Sequence, residues 1–435
     1  LDEKKSVTNA PCQIGQVNGR RVALLTYGTR GDVEPFLALG TALRSAGYAV
    51  RLAAPSPFAP LAAAQGIEFA AIQGDPDQLA QSFADQAGLS WPKMVVSMAG
   101  HVLPLAEAAF RTVEQAAQDA DLIVHSFLMT DAGHTLAHRM GIPDISAQFF
   151  PMFLPTAAFP AVAMPDLPLG GLYRRGTHAF ATAIFRYGAR ALYRVVRARA
   201  AGLPDLGPWL LGKESGANTP LLFAYSPQVL PRPADWPACA QVTGYWQLPP
   251  PAGWTPAQEL ARFLDTGAPP IYFGPGSMRT AKIHSHLRAV VTAARACGQR
   301  LLLGVPPQWV ETDLRGADVF AAPGIPHAWL FPRMGFILHH GGAGTTGAAA
   351  AAGIPSSAIP FSADQAFWAR QLHRLGVGPA APSARHLNRD RVEAVFKAAI
   401  GNLDYRRRAE ALGQAVRGED GAAAALDVIN RLLAV

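Results

Sequence analysis

The segment "LHHGGAGTTGAAAAAGIPSSAIPFSADQ", residues 338–365, sets two histidines and a glycine cluster ahead of an alanine run and an acid–amide pair. Glycines that open a helix leave backbone N–H groups unpaired at the positive end of the helix dipole, which suits a phosphate. His340, ending the preceding apolar run, could donate a hydrogen bond to the same anion, and Thr345 could add a hydroxyl. The glycines could equally serve backbone geometry alone. Their spacing is neither that of a Walker loop nor that of a dinucleotide-binding turn. Asp364 and Gln365, after the next apolar run, offer a carboxylate and an amide that can bind several hydroxyls, as a hexose requires. In isolation such a pair would cap a helix or sit in a solvated turn. A phosphate seat and a hydroxyl-binding pair one β-α-β step apart point to a nucleotide-sugar pocket.

These residues need strands that end on one rim. "GFILHH" reads as a strand, "GGAG" as a tight turn, the alanine run as a helix able to pack closely, and "SSAIP" as the next strand. The same rhythm precedes it in "PIYFGPGS", "HSHLRAVVTAARACG", "RLLLGV" and "VFAAPG". It also opens the chain. "RRVALLTYG" is a strand, a helix follows Pro35, and "AVRLAAP", "IEFAAI" and "DLIVHS" alternate with helical stretches. With 435 residues, half of them hydrophobic and 16% charged, the chain can fill two cores of roughly 200 residues each. Proline and tryptophan thicken from about Ser226 to Pro256, where an inter-domain linker is expected.

The reading is therefore α/β, with two doubly wound halves that face each other across a cleft at the carboxyl ends of their strands. Residues 1–20 are expected to be a flexible leader, 21–235 the amino-terminal domain, 236–256 the linker and 257–410 the carboxyl-terminal domain. Residues 411–435 are expected to be helical and to pack back on the first domain.

Composition narrows the function classes. Cys12, Cys239 and Cys297 stand far apart, so neither a disulfide framework nor a metal knuckle is encoded, and a reducing cytoplasm is expected. No run reaches the roughly 18 uncharged apolar residues of a membrane span, and residues 1–20 lack the apolar core of a secretion signal. The net charge of +7 concentrates around Arg174, Arg175, Arg186, Arg190, Arg194, Arg197 and Arg199, in an amphipathic helix or helix pair. That face is either solvated, with arginine stems covering the body, or adsorbs to anionic lipid at the inner membrane surface. No zinc finger or aromatic-basic RNA motif speaks for nucleic acid. The chain is expected to be a monomer or weak dimer.

"HHGGAGTTGAAAAAGIPSSAIPFSADQ" resembles the donor-binding motif of inverting nucleotide-sugar glycosyltransferases of the two-domain GT-B fold, within the UDP-glycosyltransferase superfamily. The form is that of bacterial antibiotic glycosyltransferases and sterol 3-beta-glucosyltransferases. "TYGTRGDVEPFLALGTALRSAGY" resembles the amino-terminal signature of the same group, and "IPHAWLFPR" its element before the donor strand. The resemblance spans roughly residues 20–410.

It implies that His340 holds the diphosphate with Gly342, Gly344, Thr345 and neighbouring amides, and that Asp364 and Gln365 hold the sugar. Ser277 in "FGPGSM" would lie near the donor phosphates, and Ile325 in "GIPHAW" near the base. Trp329 is read as packing, and His339, on the other face of its strand, as buried structure. Where many members carry a basic histidine, "GDVEP" puts Asp32, the expected general base; the competing role is a helix N-cap. His125, at a strand end, is the reserve base, with a structural histidine the competing reading, and Glu34 is a weaker third. Trp91, Phe127, Phe149, Phe150, Met152 and Phe153 would line an apolar acceptor site.

The implied reaction is metal-independent, with backbone amides, helix dipole and His340 neutralising the leaving diphosphate. It would move glucose from UDP-glucose, a co-substrate with no bound cofactor, to a sterol, terpenoid, polyketide or similar lipid-like hydroxyl, giving a β-glycoside. The alternatives are a TDP-deoxysugar transferase acting on an antibiotic aglycone, a silent sugar-nucleotide-binding activator, and a GT-B epimerase.

Overall fold

The computed structural model describes residues 19–76, 78, 105–162, 164–199, 203–210, 219–251, 253–276, 282–361 and 363–434. Two parallel sheets organise them. The first contains β1 (Arg21–Leu25), β2 (Ala49–Pro55), β3 (Glu68–Ile72), β4 (Leu122–His125), β5 (Asp144–Gln148), β6 (Leu221–Phe223) and β7 (Ala240–Val242), in the order β3-β2-β1-β4-β5-β6-β7. The second contains β8 (Ile271–Gly274), β9 (Leu301–Leu303), β10 (Val319–Ala321), β11 (Phe336–His339) and β12 (Ser356–Ala358), in the order β10-β9-β8-β11-β12. Strands such as Ile271–Gly274 and Phe336–His339 are buried along their whole length, as expected when helices cover both faces of a parallel sheet.

The helices that matter for the site follow particular strands. After β1 comes α1 (Arg30–Ser45), and α2 (Ala59–Ala64) precedes β3. A helix over 105–117, α3, leads into β4, which is followed by α4 (Thr130–Met140). A single 30-residue helix, α5 (Gly170–Arg199), occupies the arginine-rich segment, where the sequence left open one helix or two. In the second half α6 (Gln258–Asp265), α7 (Ile283–Ala296), α8 (His327–Leu330), α9 (Ala343–Ala352), α10 (Ala363–Arg374), α11 (Arg389–Ala399) and α12 (Leu403–Arg417) follow, and α13 (Gly421–Leu433) ends the chain.

Each sheet reverses its strand order once, between β1 and β4 and between β8 and β11. The loops leaving the carboxyl ends of neighbouring strands diverge there and open a crevice. Asp32 follows β1 and His340 follows β11, so each lies at one of the two reversals.

Several expectations change. The helix expected after Pro35 begins at Arg30, and Pro35 sits inside it, in the second turn. β7 extends the first sheet into residues 236–256, which the proline pattern assigned to the linker; Trp236 is buried in the same core and supports it. Of the expected leader, residues 1–18 lie outside the described residues, whereas Arg20 donates a hydrogen bond to the carbonyl of Leu433.

The chain crosses between the halves twice. Past β7 it runs through Gly244, and on return it leaves α12 and enters α13 at Gly421. Ala425, Val428, Ile429 and Leu433 of α13 join the core formed by β1, β2 and α1. Tyr48 Oη donates to Asn430 Oδ1 at 2.7 Å in the same contact. At the crossings the two backbones touch: a Cβ on Gly421 would stand 2.5 Å from the Gly244 carbonyl carbon. Nearby, Ser226 Oγ donates to Glu419 Oε1 at 2.8 Å.

Candidate active site

Between the halves lies a cavity of about 1730 Å³, lined by loops from both sheets. Asp32 enters it from the first turn of α1. Thr29 is the N-cap and Asp32 the third residue of a capping box, with Thr29 N–H donating to Asp32 Oδ2 at 2.8 Å and Thr29 Oγ1 to the same oxygen at 3.3 Å. Capping is thus carried by Thr29 as N-cap, and Asp32 supports it from inside the helix. Gly28 makes the fold-back of the carboxylate feasible: its φ is +147°, and a Cβ there would stand 2.2 Å from Asp32 Oδ2. The carboxyl is pushed up to about 7. Burial raises it most, the Thr29 N–H opposes that, and the Asp364 carboxylate facing it across the cavity raises it again. Glu34 also lines the cavity but is ion-paired to Arg30 at 2.6 Å.

His125 is placed differently from the expectation. Its side chain has no exposure and does not line the cavity; Nε2 donates to Asp144 Oδ2 at 3.0 Å, and His134 Nδ1 donates to the same oxygen at 2.8 Å. Burial alone would raise the Asp144 carboxyl, but these two hydrogen bonds hold it well below the usual carboxylate range. The strand end aims the ring inward because α4 packs there: a Cβ on Gly133 would stand 2.7 Å from His125 Cβ.

From the other half, His340 projects between two glycines. A Cβ on Gly276 would stand 2.5 Å from His340 Cε1, and one on Gly342 would stand 2.4 Å from Nε2. Only residues without side chains leave room for the ring. Burial, opposed by the Gly274 carbonyl, brings the imidazole down to about 4, and Nδ1 is buried without a hydrogen-bond partner. A neutral ring that still needs a polar partner faces the cavity at the start of α9, whose N-cap is Gly342. Gly344 and Thr345 line the same rim, and a Cβ on Gly344 would meet nothing within 4 Å. That rim offers N–H groups and a positive dipole end to an anion.

Asp364 and Gln365 lie in the first turn of α10, and both line the cavity. Gln365 also pins its own loop by accepting Phe361 N–H on Oε1 at 2.8 Å. Ile325 lines the cavity beside His327. His327 was given no role from sequence. It stacks on Phe331 with ring centroids 4.3 Å apart, and burial, with Arg30 and His340 facing it, brings it down to about 3. The only hint was its place in "IPHAW". Trp329 packs edge-on against Trp254 and under Arg333, away from the cavity lining. His339 is buried and accepts the Gly341 N–H on Nδ1 at 3.0 Å.

Of the aromatic set, Phe127, Phe149, Phe150 and Met152 line the cavity. Phe153 does not: it is 2% exposed, with φ +71°, and packs behind Phe127 against Phe185 and Trp209. Ser277 and Trp91 lie outside the described residues. The chain carries two Asp-x-Asp sequences. In one, Asp119 is ion-paired to Arg21 and Arg51 and Asp121 accepts the Arg21 N–H, at the opposite end of the sheet; in the other, Asp75 lines the cavity and Asp77 is not described. Among the described residues no group of three or more His, Cys, Asp or Glu side chains is arranged to hold a metal.

Known proteins share this architecture. Residues 22–142 match the Glycosyltransferase family 28 N-terminal domain, and residues 315–428 match the Erythromycin biosynthesis protein CIII-like, C-terminal domain. The chain is 36% identical over 420 residues to O-mycaminosyltylonolide 6-deoxyallosyltransferase of Streptomyces fradiae, covering 92% of this chain and 94% of that protein. It is 31% identical over 431 residues to the sterol 3-beta-glucosyltransferase of Pichia angusta, covering 94% of this chain but only 33% of that much longer protein. Among solved structures, the calicheamicin glycosyltransferase CalG4 superposes with a TM-score of 0.65 at 18% identity, covering 96% of this chain and 99% of the other. The spinosyn rhamnosyltransferase SpnG complexed with thymidine diphosphate does so with a TM-score of 0.64 at 18% identity, covering 94% and 99%.

Proposed function

The chain belongs to the UDP-glycosyltransferase superfamily of GT-B fold, a glycosyltransferase family whose members act on natural-product or sterol acceptors, and from that premise we propose that it glucosylates a hydrophobic alcohol from UDP-glucose with inversion. The observation that carries this reading is the convergence of two chain reversals on one cavity. One brings a carboxyl whose proton leaves near neutrality, and the other brings a helix start and a neutral imidazole.

In the reaction, the Asp32 carboxylate takes the proton of the acceptor hydroxyl as its oxygen attacks the anomeric carbon. The bond from that carbon to the diphosphate breaks on the opposite face, so an α-linked donor yields a β-glycoside. The departing charge falls on the amides at the start of α9 and on the His340 N–H. Asp364 and Gln365 hold the sugar, and Phe127, Phe149, Phe150 and Met152 hold the acceptor. The diphosphate needs no metal in this scheme. A second reading, TDP-deoxysugar transfer to an antibiotic aglycone, is favoured by the near full-length match to the Streptomyces fradiae deoxyallosyltransferase.

One experiment separates them: incubation with UDP- and TDP-sugars, with and without sterols and macrolide or polyphenol alcohols, followed by diphosphate release and product mass. An acceptor-dependent gain of one hexose from UDP-glucose upholds the first reading. Turnover only with TDP-deoxysugars moves the protein to the second, and donor binding without any transfer points to an activator.

The outer face of α5 supports contact with a lipid surface. Leu172, Phe180, Tyr187 and Val195 form an exposed apolar stripe at helical spacing, continued by Leu167 and Leu169. Arg194 flanks it in solvent, and Arg175, also exposed, is ion-paired with Asp235 at 2.9 Å, while the inner face of the helix lines the cavity through Ile184, Phe185 and Leu192. Charge and exposed apolar area together favour anionic interfaces. Co-sedimentation with phosphatidylglycerol vesicles is expected, with at least a tenfold loss on Leu172→Glu/Phe180→Glu; equal binding to phosphatidylcholine vesicles would count against it.

A further inference from the structure

Asp131 stands in the first turn of α4, between Met129 and Ala132, and all three line the cavity on the wall that carries Phe127, Phe150, Met152 and Phe185. The cavity wall beside it is apolar, and this carboxylate makes no hydrogen bond and no ion pair within 4.0 Å among the described residues. An unpaired carboxylate in such a place is costly, and a protein ordinarily pairs it or replaces it. The helix dipole and the charge of Arg190 and Arg186 ease that cost but leave the carboxylate oxygens without a hydrogen-bond donor. His125 and His134, the two histidines nearest in charge terms, are already committed to Asp144. Arg190 hydrogen-bonds the Gly207 carbonyl at 2.8 Å, and Arg186 is turned toward Tyr187 and Trp209.

Resting on the acceptor-site reading above, we propose that Asp131 selects the acceptor by receiving a hydrogen bond from a second hydroxyl, distinct from the one that is glycosylated. The chemistry favours a neutral donor over an ammonium. Arg190 and Arg186 act on the carboxylate and offset its charge, while its burial raises its proton affinity. A cation would meet those positive groups, whereas a hydroxyl needs only the unpaired oxygen. Asp131 is separate from Asp32, which follows the neighbouring strand β1 and deals with the reacting hydroxyl. The two carboxylates would thus read two polar points on an otherwise apolar molecule.

The test is equilibrium dialysis of labelled cholestanol and of derivatives with one added hydroxyl on ring B, ring C or the side chain, with UDP binding as the folding control. The wild type is expected to bind at least one diol about 10- to 100-fold more tightly than cholestanol. Asp131→Leu should erase that margin, and the isosteric Asp131→Asn should retain part of it. A wild type without preference for any diol, a preference that survives Asp131→Leu, or tighter binding of an aminosterol than of every diol would overturn the assignment. Binding does not depend on transfer, so parallel incubation with UDP-glucose keeps the two ideas apart. A diol preference erased by leucine in a protein that transfers no sugar upholds Asp131 and defeats the transfer reading; sugar transfer with no such preference does the reverse.

Discussion

Asp32→Asn is expected to lower kcat about 10²- to 10⁴-fold while leaving UDP affinity within a factor of two, because the amide keeps the shape and the Thr29 contacts but cannot take a proton. Steady-state kinetics with the acceptor found by the sugar panel, and calorimetric titration with UDP, check both halves. The wild type should show kcat/KM rising tenfold per pH unit up to about 7 and flat above, since the carboxyl must be ionised to act. The variant's residual rate should lack that rise, and an unchanged profile would remove Asp32 from the base role.

The same shift has a cost in stability. A carboxyl whose folded pKa is raised favours the native state below its unfolded value, near 3.8, and loses that contribution as pH climbs through about 7. Above pH 7 Asp32→Asn should therefore be more stable than the wild type, by up to about 4 kcal/mol. The value is an upper bound because the side chain retains some contact with water. Higher stability joined to lower activity would separate a functional carboxylate from a capping one, whose loss only destabilises.

His340→Ala is the second large effect. Loss of the imidazole N–H at the start of α9 is expected to weaken UDP or TDP binding about 10- to 100-fold, the range of a hydrogen bond to a charged group. Because the ring is brought down to about 4 and is neutral at pH 7, this loss should be nearly constant between pH 6 and 9. Gly342→Ala offers a second route to the same outcome, since the added Cβ would stand 2.4 Å from Nε2 and displace the ring. Calorimetric titration with the free diphosphates reads the result, and wild-type affinity in His340→Ala would exclude the histidine from the phosphate seat.

The parts of the site that could be read in advance are those encoded locally. β11, its glycine turn and α9 announce themselves through an apolar run, two glycines and ten small residues, six of them alanine. β5 does not. Its sequence "DISAQ" places Asp144, Ser146 and Gln148 in a fully buried strand; Asp144 is satisfied by two histidines brought in through folding, and Gln148 donates to Ser146 of the same strand at 2.7 Å. His125 stayed open between reserve base and structural histidine for the same reason: a histidine at a strand end can face the cleft or the core, and its partner Asp144, which His134 shares, lies 19 positions further along the chain.

β7 was hidden because prolines dominate its neighbourhood while only three residues pair. Asp131 carried no signal at all. It looks like any acid in the first turn of a helix, where acids are favoured by the dipole, and its lack of a partner is a property of the tertiary structure alone.

The backbone contact between Gly244 and Gly421 has a mechanical meaning. Two tethers that meet backbone to backbone, with no side chain to hold them apart, would let one half rock against the other about that contact, with the Phe159–Phe367 and Tyr225–Trp368 ring contacts repacking beside it. Every group on the rim would then travel along an arc set by its distance from the contact. Asp32 on one jaw and His340 on the other would separate in proportion to a single angle, and under the proposed reaction that would couple the release of the nucleotide to the release of the glycosylated product.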